Sequence, residues 1–417
     1  MKKYQLLLLF FLCSKIITAQ TPELIPFLKG DKYGYANNKR EFKIPINYEQ
    51  ASLFSEGLAE VKINGKIGFI DKTGKLIITP TYENAYSFTE GLAAVMLDSK
   101  WGYINKTGKV VIPIIYEGCF PFTNGLARVD LNNKSGFIDT KGKIIVPIEY
   151  DYVDEFSEEM AKVKKDEKYG YVNKLGKLIV PLESSYGLAF SEGLAPIKMS
   201  SGYWGYVDKT GKVVIEGNYS DVYMFKEGLA HVASFYFKMM GFIDKAGNVV
   251  IPLKYYDVSE FSEGLARVST EVKSYYTDKY GVKKEQMNLG KRPVQSGYID
   301  KQGKEVIPIQ FESFGGKFKE GLASVTVNGK RGFIDKTGKL VVPAIYDKVE
   351  DFNEGLAKVF KGKEFGFVYG FVDKTGKEVI PLKYKECYSF NKNGLATVYI
   401  KNKNCYIDKK GTQYWED

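Results

Sequence analysis

An aspartate followed by Lys-Thr-Gly could do phosphoryl chemistry, because a carboxylate in such a motif can accept a phosphoryl group from ATP. The tetrapeptide begins at Asp71 and returns at Asp208, Asp335 and Asp373. Near-copies begin at Asn105, Asp139, Asn173, Asp244, Asp300 and Asp408. A catalytic nucleophile does not occur in so many copies, so the recurrence indicates a structural role.

The local context of Asp71 predicts a turn. Short apolar stretches precede it, ending at Ile70, and follow it, beginning at Leu76. This spacing is typical of a hairpin with a type I turn, in which Gly74 adopts a left-handed conformation and Asp71 accepts hydrogen bonds from turn amides. A phosphate-binding loop is excluded, because no Ser or Thr follows Lys75 and a strand replaces the required helix.

Other catalytic chemistry has few candidate residues. His231 is the only histidine, and strand alternation predicts that it lies on the outward, solvent-facing side of its strand. Without a second histidine, a Ser/His/Asp arrangement and an imidazole metal site have no basis. Beyond the leader, Cys119, Cys387 and Cys405 are predicted to be buried apolar residues, and Cys387 with Cys405 is the one pair that could form a bridge. We expect no catalytic residues, no metal and no cofactor.

Carboxylates leave one enzymatic alternative open, since a glycoside hydrolase needs only two of them in one groove. Most acidic residues, however, occupy repeated positions. They include the turn aspartates and a glutamate that precedes Gly-Leu-Ala, as at Glu56, which we interpret as a solvated turn residue.

Composition and the first residues indicate an exported globular protein. The 417 residues are 44% hydrophobic and 26% charged, with a net charge of +10 whose lysines are dispersed, which argues against nucleic-acid binding. Residues 1–19 have the features of a signal peptide: Lys2 and Lys3, an apolar run to Leu12, and Ala19 before the expected cut. No later run is long and apolar enough for a membrane span. The predicted location is periplasmic, cell-surface or secreted.

A repeat of 34 residues organises the chain. The triplet Gly-Leu-Ala begins at Gly57, Gly91, Gly125, Gly193, Gly228, Gly264, Gly321, Gly355 and Gly394, and Glu159-Met160-Ala161 fills the one gap. We predict a signal peptide at 1–19, a degenerate N-terminal capping repeat at 20–56, and about ten repeats at 57–417 with an insertion near 270–296. Each apolar stretch is short, rich in β-branched and aromatic residues, and bounded by Gly, Asn, Asp or Pro.

This pattern predicts an all-β fold made of tandem hairpin (β-meander) repeats. An open superhelical β-solenoid is favoured, because propeller blades usually need about 40 residues and rings usually close at four to eight blades. One or two β-propellers are the alternative. Either arrangement buries the apolar face of each repeat against its neighbours.

The units containing Trp101-Gly102 and Trp204-Gly205 resemble the WG repeat family of bacterial proteins, also called KWG repeats. The resemblance rests on these pairs together with Gly-Leu-Ala, Gly-Phe-Ile-Asp-Lys-Thr-Gly-Lys and Ile-Pro, and it covers nearly all of the mature chain. It implies a β-rich repeat protein without established catalysis, and it supplies no active-site residues.

The predicted function is a non-catalytic, exported repeat scaffold that binds a protein or glycan partner through an extended β surface; the alternative is an enzyme resembling glycoside hydrolases. Residues that break or mark the repeat are the candidates for binding: Tyr275, Tyr276, Tyr280, Lys283, Lys284, Arg292, Trp101 and Trp204. The first six belong to the insertion, which we expect to leave a hairpin loop as a binding lip of tyrosines beside positive charge. The expected partner is a protein or glycan of the cell envelope or its surroundings, without nucleic acid and without a membrane span.

Overall fold

The computed structural model describes residues 21–416 except 237, 272–274, 278–282, 286–293, 313–314, 364–365 and 401. The predicted signal peptide lies outside the described residues. Within them the protein consists of β-strands and turns without a helix, so the predicted all-β array of tandem hairpin repeats is confirmed. The described part of the chain accordingly offers no apolar helix of a length that would span a membrane.

The described residues form eleven successive structural units, each built from up to four antiparallel strands that we call A, B, C and D in chain order. Unit numbers count the B strands from the N-terminus. The A strands, which have two residues, are Gln50–Ala51 (β4), Asn84–Ala85 (β8), Gly118–Cys119 (β12), Tyr152–Val153 (β16), Asp221–Val222 (β23), Asp257–Val258 (β27) and Lys348–Val349 (β36). The B strands follow the glycine of the Gly-Leu-Ala motif or of its equivalent: Ile25–Lys29 (β1), Leu58–Ile63 (β5), Leu92–Leu97 (β9), Leu126–Leu131 (β13), Met160–Lys165 (β17), Leu194–Lys198 (β20), Ala230–Ala233 (β24), Ala266–Glu271 (β28), Ala323–Val327 (β33), Leu356–Lys363 (β37) and Leu395–Ile400 (β40).

The C strands contain the Trp-Gly position, and the D strands contain the Ile-Pro position of most units. The C strands are Lys32–Ala36 (β2), Lys66–Asp71 (β6), Lys100–Asn105 (β10), Lys134–Asp139 (β14), Lys168–Asn173 (β18), Trp204–Asp208 (β21), Met240–Ile243 (β25), Val294–Ile299 (β31), Lys330–Ile334 (β34), Gly366–Asp373 (β38) and Lys403–Asp408 (β41). The D strands are Phe42–Tyr48 (β3), Leu76–Tyr82 (β7), Val110–Tyr116 (β11), Ile144–Tyr150 (β15), Leu178–Ser184 (β19), Val213–Tyr219 (β22), Val249–Tyr255 (β26), Glu305–Glu312 (β32), Leu340–Tyr346 (β35) and Glu378–Tyr384 (β39). Three further strands are Tyr275–Thr277 (β29), Lys283–Glu285 (β30) and Trp415–Glu416 (β42).

The Asp-Lys-Thr-Gly segment is the turn between strands C and D, as its sequence predicts. In unit 2, Asp71 Oδ1 accepts hydrogen bonds from the backbone N–H of Thr73 at 2.9 Å and of Lys75 at 3.0 Å, and from the Thr73 hydroxyl at 2.6 Å. Gly74 has a φ of 86°, in the left-handed region. The Thr73 hydroxyl, followed by the two backbone amides, lowers the pKa of Asp71. The acidic side chain is therefore used to close the hairpin.

The glycine of the Trp-Gly position permits a close contact between strands C and D. In unit 3 the register shifts between Trp101, which pairs with Tyr116, and Tyr103, which pairs with Ile112, so the D strand bulges around Pro113. A Cβ atom on Gly102 would lie 2.6 Å from the Pro113 carbonyl oxygen. Glycine is required here because the bulged backbone occupies the space of a side chain.

Neighbouring units pack face to face, and each interface has its own apolar core. Between units 2 and 3, Phe69 packs against Phe88 with ring centroids 5.0 Å apart, and Val95 and Ile104 belong to the same cluster. Equivalent clusters recur along the chain, as expected for a repeat whose single unit cannot bury its apolar face alone.

The glutamate before Gly-Leu-Ala links successive units, which corrects its interpretation as a solvated turn residue. Glu56 has a positive φ of 49°, and its Oε2 accepts a hydrogen bond from the Gly91 N–H of unit 3 at 3.0 Å. Lys106 Nζ of unit 3 lies 3.1 Å from the same oxygen. The same pair of contacts is made by Glu158, Glu192, Glu227, Glu263 and Glu320. The interpretation was wrong because the partners lie in the next repeat, where the glycine is 35 residues and the lysine 50 residues from Glu56.

The first and last units of the array are in contact. The C-terminal strand β42 pairs in parallel with β1, with Leu28 opposite Trp415 and Lys29 opposite Glu416. The Tyr33 hydroxyl also donates to the Asn404 carbonyl oxygen at 3.0 Å. One hydrophobic cluster combines residues of units 1 and 2, such as Tyr35, with residues of units 10 and 11 and with Trp415. The ends of the chain are thus joined, a feature that the repeat pattern did not predict.

Candidate functional site

Two positions of the repeat vary from unit to unit and face each other on the same side of the sheet. One follows strand A, and the other is the third residue of the Leu-Ala-X segment in strand B. Their side chains form a different kind of pair in different units: Phe120 with Arg128 (ring centroid to Cζ 4.1 Å), Asp154 with Lys162 (3.4 Å), Tyr223 with His231 (centroids 3.8 Å) and Glu350 with Lys358 (2.6 Å). The fold tolerates side chains of very different chemistry at these two positions. Their identity is therefore available for binding a partner.

The variable position in strand B is less exposed than strand alternation predicts. His231 was expected at the surface, but it is only 8% exposed. Its ring stacks on Tyr223, and burial lowers its pKa to about 4. The prediction was wrong because alternation identifies the face of the sheet, whereas the stacked ring of Tyr223 covers His231 on that face.

One of these variable surfaces, between units 5 and 6, is rich in aromatic side chains. The rings of Tyr169 and Tyr186 are 5.5 Å apart, and those of Tyr186 and Trp204 are 5.8 Å apart. Lys162 Nζ lies 5.6 Å from the centroids of both tyrosine rings. Trp204 is only 9% exposed and belongs to the apolar core, so Tyr186 presents the accessible ring.

Trp101 has a comparable environment in unit 3. Its ring packs at 5.3 Å from Tyr86, and it is half-buried against the core between units 3 and 4. The structure therefore places the two predicted tryptophans at equivalent positions in different units and does not bring them together. Each tryptophan packs against an exposed tyrosine, Trp101 against Tyr86 and Trp204 against Tyr186. Sequence reasoning missed both tyrosines, although they align near the short A strand of the repeat.

A cleft of about 490 Å³ separates units 10 and 11 at the same repeat positions. Phe360 and Tyr369 contact each other on one wall, with ring centroids 4.5 Å apart, and Tyr388 lies on the other. Glu350 is held by Lys358 at 2.6 Å and by the Ser389 hydroxyl at 2.6 Å. The carboxylate is thus engaged in an ion pair, and the tyrosine rings are the free apolar surface of the cleft.

The insertion leaves the hairpin between strands B and C of unit 8, as predicted, since Glu271 pairs with Val294 at its base. Tyr275 and Tyr276 lie in β29, and Lys283 and Lys284 lie in β30, which pairs with β29 in antiparallel orientation. Tyr280 and Arg292 lie outside the described residues.

The three cysteines are separate buried thiols. Cys119, Cys387 and Cys405 are all free, so the bridge considered between the last two is not formed. Burial raises the pKa of each thiol to about 12. In the part of the chain that the structure describes, no group of three or more His, Cys, Asp or Glu side chains is placed to hold a metal ion.

Fold and sequence together define an all-β tandem repeat protein. The family model described as "WG containing repeat" matches ten segments of the chain: 33–66, 67–101, 101–134, 136–169, 169–203, 204–232, 240–271, 297–330, 332–365 and 369–403. The protein therefore belongs to the WG repeat family. A search of curated proteins found no match.

Solved structures show only remote similarity. Hsv2p of Kluyveromyces lactis matches at 12% identity and a TM-score of 0.26, over 58% of this chain and 98% of that one. The extracellular domain of a protein from B. thetaiotaomicron described as a hybrid two-component system matches at 12% identity and a TM-score of 0.31, over 91% of this chain and 59% of that one. PorZ, a surface component of the type-IX secretion system of Porphyromonas gingivalis, matches at 11% identity and a TM-score of 0.24, over 94% of this chain and 64% of that one. At these TM-scores the similarity carries no functional argument.

Proposed function

We propose that the protein is a non-catalytic, exported repeat scaffold that binds an extended protein or glycan partner through the variable positions between its units. The observation that carries this proposal is the recurrence of exposed tyrosines beside these positions. Their exposed fractions are 40%, 44%, 40% and 56% for Tyr86, Tyr186, Tyr223 and Tyr388. Tyrosine offers a rigid apolar ring and a polar hydroxyl, which suits binding to proteins and to sugars.

The distribution of these tyrosines along the chain supports a partner that contacts several units at once. They belong to units 3, 6, 7 and 11, so a single partner would have to extend along the array to meet all of them. Several weak contacts to one partner act together, because after the first contact the others become intramolecular. Export is supported by the signal-peptide features of residues 1–19.

The test is a stepwise removal of these rings. We expect Tyr186→Ala to weaken capture of the partner from an envelope extract, or of glycans on an array, and Tyr186→Ala with Tyr388→Ala to weaken it further. Tyr236→Ala is the control, because Tyr236 is also exposed (87%) but lies in the turn after strand B of unit 7, outside the variable positions. Equal binding by all variants would contradict the proposal.

A product analysis distinguishes the scaffold proposal from the hydrolase alternative. Bound oligosaccharides are incubated with the purified protein and then analysed by chromatography for shorter products. A scaffold returns the oligosaccharides unchanged, whereas release of new reducing ends would establish catalysis and overturn the non-catalytic part of the proposal.

A further inference from the structure

The contact between the ends of the array encloses a second, separate cleft, which we call the junction cleft. Its volume is about 590 Å³, within the range of roughly 300 to 1,000 Å³ that is typical of small-molecule sites. Units 2 and 3 contribute Glu60 and Asn84, and unit 11 contributes Tyr399, Asn404 and Tyr406. The cleft exists only because unit 11 meets units 1 and 2.

Glu60 has no counterpart in the other units. Its repeat position holds a neutral or basic residue everywhere else: Ala94, Arg128, Lys162, Pro196, His231, Arg267, Ser324, Lys358 and Thr397. Where a basic residue stands here, a neighbouring side chain often complements it, as Asp154 does for Lys162. Opposite Glu60 stands Ser52, whose hydroxyl accepts a hydrogen bond from the Glu60 backbone N–H. The carboxyl group of Glu60 is therefore off-pattern and is not demanded by the repeat.

One oxygen of this carboxyl group lacks a partner. Glu60 Oε1 is buried and makes no hydrogen bond with any residue that the structure describes. Burial raises the pKa of the Glu60 carboxyl, while the hydroxyls of Ser87 and Ser52 act in the opposite direction. Buried polar atoms are almost always hydrogen-bonded in folded proteins, so an orphaned acceptor beside a cleft indicates that a bound molecule completes it.

The charges around the cleft favour a neutral ligand. Lys62 and Lys403 line it together with Glu49 and Glu60, so cationic and anionic side chains balance. Glu49 is already occupied, since its oxygens accept the N–H groups of the Asn64–Gly65 turn at 3.0 Å. An anion would meet the Glu60 carboxyl group, and a metal ion would find only one free carboxylate.

The polar groups of the cleft match those of a sugar. Carboxamides such as Asn84 and Asn404 both donate and accept hydrogen bonds, as sugar hydroxyls do. The rings of Tyr399 and Tyr406 offer apolar faces against which the C–H groups of a pyranose can pack. We propose that the junction cleft is a binding site for a neutral carbohydrate, with Glu60 Oε1 accepting a hydrogen bond from a sugar hydroxyl. This site is distinct from the tyrosine surfaces between units and does not depend on the function proposed for them.

Calorimetric titration of the full mature chain with cellohexaose, maltohexaose and chitohexaose tests the proposal. At least one of the three binds, and Glu60→Ala weakens that binding about tenfold or more, because the hydrogen bond that the Glu60 carboxyl group accepts is lost. Alanine is compatible with the fold at this position, since Ala94 occupies the equivalent place in unit 3. Asn404→Ala is a second variant on the opposite wall and also weakens binding.

Tyr236→Ala is the control, because Tyr236 is 87% exposed in the turn after strand B of unit 7 and lines neither the junction cleft nor the tyrosine surfaces, and it leaves binding at the junction cleft unchanged. Absence of binding by all three hexasaccharides would overturn the proposal, as would equal binding by Glu60→Ala. Binding that is lost with Tyr186→Ala but kept with Glu60→Ala would also overturn it, and would instead place carbohydrate at the surfaces between units.

Discussion

Interfaces between successive units and the contact between the two ends of the chain are built differently. Successive units share a face-to-face apolar core, as Phe69 and Phe88 do, and many are linked by a glutamate in the left-handed conformation, as at Glu192. The ends also share an apolar cluster, but they add a parallel strand pairing between β1 and β42, with the Lys29–Glu416 ion pair at its edge.

This difference has a functional consequence. Repeated interfaces fill their cores with the same apolar residues and leave only narrow variable surfaces, whereas the end-to-end contact joins two non-identical surfaces and leaves the junction cleft between them. A repeat protein can thus keep its regular interfaces for stability and place a distinct site where the regularity ends.

The largest expected effect comes from breaking the end-to-end contact. Trp415 is buried in the cluster that joins both ends, and replacing a buried tryptophan by alanine typically costs about 3–5 kcal/mol. We expect Trp415→Ala to lower the free energy of unfolding in urea by this order and to increase the radius of gyration in small-angle scattering. A variant with unchanged stability and dimensions would show that the contact contributes little.

At a regular interface between units, we expect a loss of stability at low pH. Burial lowers the pKa of His231 to about 4 from its ordinary 6.5, and the groups facing it are Tyr223, Phe242, Glu260 and Arg267. Between these two pKa values the unfolded chain binds a proton that the folded chain does not. The contribution of His231 to the free energy of unfolding is therefore present in full above about pH 6.5 and is lost as the pH drops towards 4.

The expected loss between pH 7.5 and 4.5 is roughly 2–3 kcal/mol, from 1.36 kcal/mol per pKa unit. Urea unfolding at both pH values checks it, with His231→Phe as the comparison because phenylalanine keeps the ring against Tyr223. The variant should lose less stability on acidification; an identical loss in both proteins would exclude His231 as its source.

The smallest effect is expected from a glutamate link. Glu192→Ala removes the bonds to the Gly228 N–H and to Lys245, and it leaves alanine at a φ of 54°. We expect a loss of about 1–2 kcal/mol, since a partly exposed charged hydrogen bond is lost and a positive φ is retained. Asn124→Ala is the matched control: Asn124 has the same φ of 54° but is not among the glutamates that form the link. Equal losses in the two variants would assign the effect to the backbone alone.

Features that depend on residues close together in the sequence were predictable. The Asp71 turn, the short strands and the hairpin origin of the insertion follow from local turn chemistry and strand composition. The glutamate link was missed because its partners lie in the next unit, and the burial of His231 was missed because it depends on the stacking of Tyr223 from another segment of the unit. The contact of Trp415 with the first strand has no counterpart in the repeat. In the candidate site, the two tryptophan positions were recognised from the sequence. The exposed tyrosines beside them and Glu60 could be identified only once the packing of the units was known.

The most direct test of the joined ends is a disulfide between them. Lys29 and Glu416 are paired across the parallel bridge and are both exposed, so cysteines at these positions are close enough to react, whereas Cys119, Cys387 and Cys405 are buried. We predict that Lys29→Cys with Glu416→Cys forms an intramolecular disulfide in the monomer under mild oxidation, detected by peptide mapping, and that Lys29→Cys with Lys209→Cys does not. A monomer in which both engineered thiols at 29 and 416 stay free would contradict it.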